Sequence, residues 1–424
     1  MNTSPETAPL TIVSLPNSER AAQTILRLAD PLKTDEACQA RFYGELGVVP
    51  TVLQPGGEIG DCPIYYKDET VQDSGSYKRR GATYAATLSG DDVIAAYSTG
   101  NHGLALAYAG ARLDKEVRIA LPEDVSLAKR IRLEQTDAKL FYFDDFTEAQ
   151  QAVAEWETES GVAVIKPFGQ HTVIAGQCSA GYELVDNLVR LGLTHEEVVV
   201  PVPVAGGGYI SGFALPLWEA RRRGVIGPHV RVVGVQPEHT DALGRAVQHV
   251  RANRQPQRLF EGDELDKDCD ALAITEENLS ALTLAIAADR RFVSSFHTVG
   301  KLALAKARRN LSDQLGKEVE PAAALPLAYA MAHARAGTTF VLPISGSNIS
   351  VETRKLYDGL IVADNVAQFQ ARSAAQFKRS ERDPRHAGFD TISLDRTSRL
   401  GFSPVTRRHV LSTAERRKEV RKSR

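Results

Sequence analysis

Residues 72–82, QDSGSYKRRGA, place one lysine behind a short polar turn and ahead of two arginines and a glycine. Lys78 follows Tyr77 at what reads as a helix start, where unpaired N–H groups and the positive end of the helix dipole gather. The dipole, Arg79 and Arg80 all disfavour a further ammonium, so this lysine is expected below its free pKa. A partly neutral amine can condense with an aldehyde. On these residues alone a plain basic helix start fits equally well.

Three other turns carry unusual residues. STGNHG, Ser98–Gly103, gathers two glycines, two hydroxyls, an amide and an imidazole at a helix start. Such a turn can grip a carboxylate, although an ordinary N-cap on Ser98 or Thr99 is the simpler alternative. AGGGYISG, Ala205–Gly212, has three consecutive glycines whose N–H groups can converge on a phosphate. It has neither the lysine of a nucleotide P-loop nor GxGxxG spacing, which points to a small fixed cofactor. PISGSN, Pro343–Asn348, offers the Ser345 hydroxyl after a strand, where a capping role is also open.

The elements that must position these turns read as an α/β chain. Short β-branched runs alternate with helical periods: VIAAY at 93–97, VRIAL at 117–121, KLFYF at 139–143, AVI at 163–165, VVVPVPV at 198–204, RVVGVQP at 231–237 and TFVLPISG at 339–346. IYYKDE adds a strand leading to the lysine turn, and helices are expected at 101–113, over SLAKRIRLEQ and TEAQQAVAEWE, and from about Val173 to Leu191. VVVPVPV suits the buried middle of a parallel sheet. In such sheets ligands sit at the carboxyl edge, where each of these turns falls.

A Schiff-base lysine, a phosphate cradle, a carboxylate turn and a serine on one rim describe a pyridoxal-phosphate site. Over roughly residues 45–355 the chain resembles the fold-type II pyridoxal-phosphate enzymes, in particular the serine/threonine dehydratase and serine racemase group. Beyond the turns, the likeness includes LPED with Lys129, KPF at 166–168, VIAGQ at 173–177, GVQPE at 234–238 and the surroundings of Glu320-Pro321.

The resemblance implies two doubly wound parallel-sheet domains with pyridoxal 5'-phosphate in the crevice between them. It implies that Lys78 holds the cofactor as an internal aldimine and later takes the substrate α-proton. Tyr77 stands where the family has phenylalanine. Asn101 matches the asparagine at the ring hydroxyl, and Ser98, Thr99 and His102 would hold the substrate carboxylate. Ala205, Gly206, Gly207 and Gly208 match the phosphate loop, with Tyr209 beside it and alanine in place of the first glycine. That replacement suits the loop if position 205 needs no positive φ. Ser345 matches the serine opposite the pyridine nitrogen. A hydroxyl there does not hold the nitrogen protonated, which favours α,β-elimination of a hydroxy amino acid to a 2-oxo acid and ammonia. No metal site is expected, because Gln236 and Ala242 stand where racemase-like members use carboxylates. Racemases have serine at the position of Thr99, and Pro326 is expected to kink or restart its helix. A β-replacement synthase or racemase of the same fold is the alternative; a non-catalytic cofactor-binding protein ranks last.

Length and composition bound the rest. With 424 residues, 43% of them hydrophobic, the chain can bury a large core in more than one domain. No run resembles a signal peptide or a membrane span. Cys38, Cys62, Cys178 and Cys269 lie far apart without a CxxC pair, and are read as packing residues of a cytoplasmic protein. The net charge of −2 conceals 15 basic against 6 acidic residues from 371 onward. Residues 1–60 are expected as a lead-in with a helix over AAQTILRLAD, 61–92 with 190–370 as a large cofactor domain, and 93–189 as a small mobile substrate domain. Residues 371–424 are expected as a basic, flexible tail. The expected partners are a small amino-acid substrate and further copies of the chain in a homodimer or homotetramer, with neither a membrane nor, despite the tail, nucleic acid.

Overall fold

The computed structural model describes residues 15–98, 100–123, 125, 127–253, 272 and 278–382. A lead-in of α1 (Ser18–Ala29), α2 (Pro31–Thr34) and α3 (Glu36–Gln39) comes first. Asn17 caps α1 by accepting the Arg20 N–H at 2.8 Å. The buried Ile25, Leu26 and Ala29 of α1 join the main core.

The larger sheet has six strands: β1 (Leu53–Ile59), β2 (Cys62–Asp68), β7 (Glu197–Pro203), β8 (Val230–Pro237), β9 (Ser295–Val299) and β10 (Thr338–Ile344). Their order is β1-β2-β10-β7-β8-β9, with β1 antiparallel and the rest parallel. The smaller sheet comprises β3 (Val93–Tyr97), β4 (Glu116–Pro122), β5 (Lys139–Phe143) and β6 (Val162–Val164), in the order β5-β4-β3-β6 and all parallel. Helices α4 (Lys78–Leu88), α5 (Asn101–Leu113), α6 (Leu127–Glu134) and α7 (Phe146–Trp156) alternate with the early strands. Next come α8 (His171–Arg190), α9 (Gly208–Arg222), α10 (Ala242–Arg251), α11 (Ala281–Ala288), α12 (Lys301–Leu315), α13 (Pro321–His333) and α14 (Val351–Arg382).

Several expectations are revised. The Pro/Gly-rich stretch read as lead-in forms β1, an edge strand with a bulge between Pro55 and Gly57, where a missing N–H costs no ladder bond. Helix α8 packs its Ile174, Ala175, Cys178 and Leu184 into the core under the large sheet, so little of it belongs with the smaller one. Strand β9 carries no strong sequence signal and is the far edge of the large sheet. Pro326 does not restart its helix; α13 runs on to His333. The boundary expected at residue 371 falls inside α14, which reaches Arg382, and residues 383–424 lie outside the described residues. Cys62 and Cys178 are buried and Cys38 is half-buried, as packing residues would be, while Cys269 is outside the described residues. Among the described residues no helix is long and apolar enough to cross a membrane.

Candidate active site

Strand β7 is buried over six of its seven residues. Its ladder with β10 stops at Val199, while that with β8 continues to Pro203. Pro201 and Pro203 have no N–H to offer, so β7 and β10 part at their carboxyl ends and leave a crevice between them. The chain then enters the glycine turn. Gly207 has φ +85°, and a Cβ on it would lie 2.9 Å from Leu243 and Thr283. A Cβ on Gly206 would lie 2.4 Å from the Phe168 ring. The turn has no room for side chains, so its backbone is what it presents. Ser211 donates the first α9 backbone bond, to the Gly207 carbonyl at 3.1 Å. The N–H groups of residues 207–210 precede it without a helical partner, at the positive end of a 15-residue helix. Ala205 is not among the residues with positive φ, so the replaced glycine costs the loop nothing.

Lys78 opens α4 on the other side of the crevice. The Tyr77 N–H donates to the Ser345 carbonyl at 3.0 Å, and a Ser76–Gly346 bridge ties the lysine turn to the end of β10. The Lys78 Nζ donates to the Pro167 carbonyl at 2.8 Å. Burial pulls its pKa from 10.5 down to about 8, and the negative charge of Glu320 acts in the opposite direction. The cause expected from the sequence is therefore corrected. Arg79 is taken up by Asp73, Thr83 and the Leu46 carbonyl, and Arg80 by Glu69, Glu183 and Ser179. Neither acts on the lysine. The Tyr77 ring stacks on Tyr209 with centroids 3.8 Å apart, and Lys78 Nζ lies 5.2 Å from the Tyr77 ring centre. Burial, then Glu320, pushes the Tyr77 phenol well above its ordinary value, so it stays neutral.

The Ser98–Gly103 turn is more internally bonded than expected. Ser98 Oγ accepts the Gly103 N–H at 2.9 Å and the Gly100 N–H at 3.3 Å; the N-cap itself is Gly100, so Ser98 ties the turn from two residues ahead of the position the simpler reading gave it. His102 is buried, with Nε2 2.7 Å from the Ile165 carbonyl. Burial and then Lys78 pull its pKa down to about 3, so the ring is neutral and donates to that carbonyl. Both residues shape the turn. Thr99 lies outside the described residues.

Asn101 does not point freely into the crevice. Its Nδ2 donates to Glu320 at 2.9 and 3.1 Å, and its Oδ1 accepts from Asn348 Nδ2 at 2.7 Å. Asn348 also donates its N–H to Glu320 at 2.9 Å and its Nδ2 to the Ser74 carbonyl at 2.8 Å. Glu320 and Ser345 are 6% and 5% exposed. Glu320, Asn348, Pro167 and Phe168 line the candidate site; their motifs stood out in the sequence without a role being assigned to these residues. A glutamate before a proline at the head of an otherwise apolar helix was the available signal for Glu320. Gln236 is buried and its amide bonds Gly244, Val204 and Thr240, which leaves it a structural part.

The donor set suits a phosphorylated aldehyde. The Lys78 amine, its pKa pulled down to about 8, bonds the Pro167 carbonyl, the neighbouring Phe168 packs on Gly206 and Gly208, and buried Ser345 holds the Tyr77 N–H through its carbonyl. Comparison with known proteins agrees. The model of the pyridoxal-phosphate dependent enzyme family matches residues 45–346. The chain is 27% identical over 301 residues to the L-threo-3-hydroxyaspartate ammonia-lyase of Saccharomyces cerevisiae, covering 68% of this chain and 84% of that one. It is 29% identical over 364 residues to the biosynthetic L-threonine dehydratase of Mycobacterium tuberculosis, covering 83% and 76%. The crystal structure of a threonine deaminase from T.th. superposes with TM-score 0.63 at 28% identity, over 78% of this chain and 99% of that one.

Proposed function

This chain belongs to the pyridoxal-phosphate dependent enzymes, and from that premise we propose that it is an ammonia-lyase acting on a hydroxy amino acid. The products are a 2-oxo acid and ammonia, formed by loss of the α-proton and β-hydroxyl followed by hydrolysis. The observation that carries this reading is the placement of the Lys78 amine on the Pro167 carbonyl, beside the Phe168 ring that packs on the glycine turn, with burial pulling its pKa down to about 8. The bound cofactor supplies the electron sink that acidifies the substrate α-C–H.

The chain's own residues do the rest. The N–H groups of Gly207, Gly208, Tyr209 and Ile210 would hold the phosphate, whose charge the helix dipole would favour. Ser345 would stand at the pyridine nitrogen, where a hydroxyl, unlike a carboxylate, would leave that nitrogen unprotonated. Lys78 takes the α-proton at Nζ; at neutral to mildly alkaline pH a useful fraction is uncharged and so able to accept it. The ammonium that results sits against the Pro167 carbonyl and is favoured by Glu320. Ser98 and His102 hold the 98–103 turn in the shape that receives the substrate carboxylate. The domain with the four-stranded sheet moves to admit substrate, and the chain works as a homodimer or homotetramer in the cytoplasm.

A screen of serine, threonine and 3-hydroxyaspartate for oxo-acid and ammonia release tests the reading, with Lys78→Ala as control. Release that persists in that variant contradicts the assigned base. Substitution products formed only with added thiols or amines would replace the reading with a synthase. Borohydride reduction followed by peptide mapping should place a pyridoxyl group on Lys78.

A further inference from the structure

Residues 98–103 belong to the domain with the smaller sheet, and Lys78, Ser345 and the glycine turn to the larger one. Glu320 joins them. It sits at the N-cap of α13, anchored by its own N–H to the Gly346 carbonyl at 3.1 Å. Its carboxylate takes two contacts from the Asn101 amide across the crevice, and a third from the Asn348 N–H. Asn348 closes the ring by donating to Asn101 Oδ1 and to the Ser74 carbonyl, four residues before Lys78. The Asn101 amide therefore has one orientation. Nδ2 must face the carboxylate, because a flipped amide would set Oδ1 against it.

We propose that Glu320 is a positioning residue that fixes the Asn101 amide across the crevice, and through it the docking of the substrate-binding turn over Lys78. Charge-assisted hydrogen bonds with little exposure are among the stronger polar contacts a fold makes. This set spans sequence separations of 219 and 247 residues, so only the assembled crevice brings it together. The carboxylate's negative charge acts on the lysine through space, in company with the Pro167 carbonyl, the neutral Tyr77 phenol and the neutral His102 ring, which face the same amine.

The inference rests on the proposed ammonia-lyase reaction, and Glu320→Gln, Glu320→Asp and Asn348→Ala separate the two. Glu320→Gln keeps the shape but sets an amide N–H against Asn101. It is expected to weaken cofactor binding by the stripped full-length protein about tenfold, measured by equilibrium dialysis. In the holoenzyme it should lower kcat/KM about 30-fold, mainly through KM. The lower-pH limb of the rate profile should move to lower pH, because the lysine loses a stabilising negative charge. Glu320→Asp keeps the charge and should leave that limb in place. Asn348→Ala frees Oδ1 without touching the charge, and should raise KM without moving the limb. Unchanged cofactor affinity, KM and pH profile in Glu320→Gln overturn the proposal. A wild-type protein that releases no oxo acid defeats the reaction assignment instead, and the dialysis result then judges Glu320 alone.

Discussion

Two lysines eleven residues apart, Lys67 fully buried and Lys78 half-buried, meet different fates. Lys67, at the end of β2, is fully buried and donates to the Thr51 carbonyl at 3.0 Å, the Thr51 hydroxyl at 2.6 Å and Glu183 at 2.8 Å. Burial pushes its pKa down, while Glu183 and Glu69 push it back up. Its three N–H donors are matched, and Arg80, Glu69 and Glu183 complete a charge-balanced cluster. Lys78 has one neutral carbonyl as its hydrogen-bond acceptor, and burial is the larger influence on it. Burial alone does not make an amine reactive. What separates the two is whether carboxylates are in bonding contact to hold the proton.

The largest effect should come from removing the reactive member. Lys78→Ala is expected to lower oxo-acid release on the order of 10^3-fold or more, the scale of a lost general base. Lys67→Met should leave kcat within a few-fold in protein that remains folded. If Lys67→Met abolished turnover at unchanged stability, the division of labour would be wrong.

The next effect is on stability. Glu183→Ala strips a carboxylate from Lys67 and Arg80 together and leaves buried positive charge uncompensated. Breaking such a set costs about 3–5 kcal/mol, to be read from urea unfolding. Lys78→Ala should cost far less in the same assay, since the hydrogen bond it removes ends on a neutral carbonyl.

Titration gives a smaller, signed effect. The folded-state pKa of Lys78, about 8, lies below its ordinary 10.5. Between those values the unfolded chain binds more protons than the folded one, so this group makes stability rise as pH increases through that window. Lys67 contributes in the same direction. The wild-type curve minus that of Lys78→Ala should isolate the Lys78 share. In cofactor-stripped protein, modification of Lys78 by an amine reagent should rise through pH 8, while Lys67 stays unmodified. Equal rates at the two sites would erase the contrast.

The sequence made Lys78 readable because its turn breaks the surrounding pattern, and the glycines at 206–208 were readable for the same reason. The cause of the lysine's lowered pKa was not. Residues one and two positions along a helix project to different faces, so Arg79 and Arg80, adjacent in sequence, turn toward Asp73, Glu69 and Glu183 and away from the amine. Glu320 and Asn348 stayed unassigned because Asn101, Ser74 and Gly346, which they bond, lie far from Glu320 or from Asn348 in the sequence, and local pattern does not show such pairings. His102, which the resemblance placed at the substrate carboxylate, has its ring on a carbonyl supplied after β6, a long-range contact that local pattern does not show.

The smallest prediction tests whether the aromatic neighbour, more than burial, sets the state of Lys78. Tyr77 places its ring 5.2 Å from the Lys78 Nζ and stacks on Tyr209. A ring face attracts an ammonium, by about 0.5–1 kcal/mol at exposed sites and more when desolvated, so it opposes the burial that drives the amine toward neutrality. Tyr77→Phe keeps that face and the stack while removing the phenol, and should change cofactor affinity less than about twofold. Tyr77→Leu removes the attraction, and the pH at which Lys78 becomes reactive should fall by a few tenths of a unit. The direction is the informative part. A rise would mean that losing the ring admitted water, and that the Tyr77–Tyr209 stack acts on Lys78 chiefly as a seal.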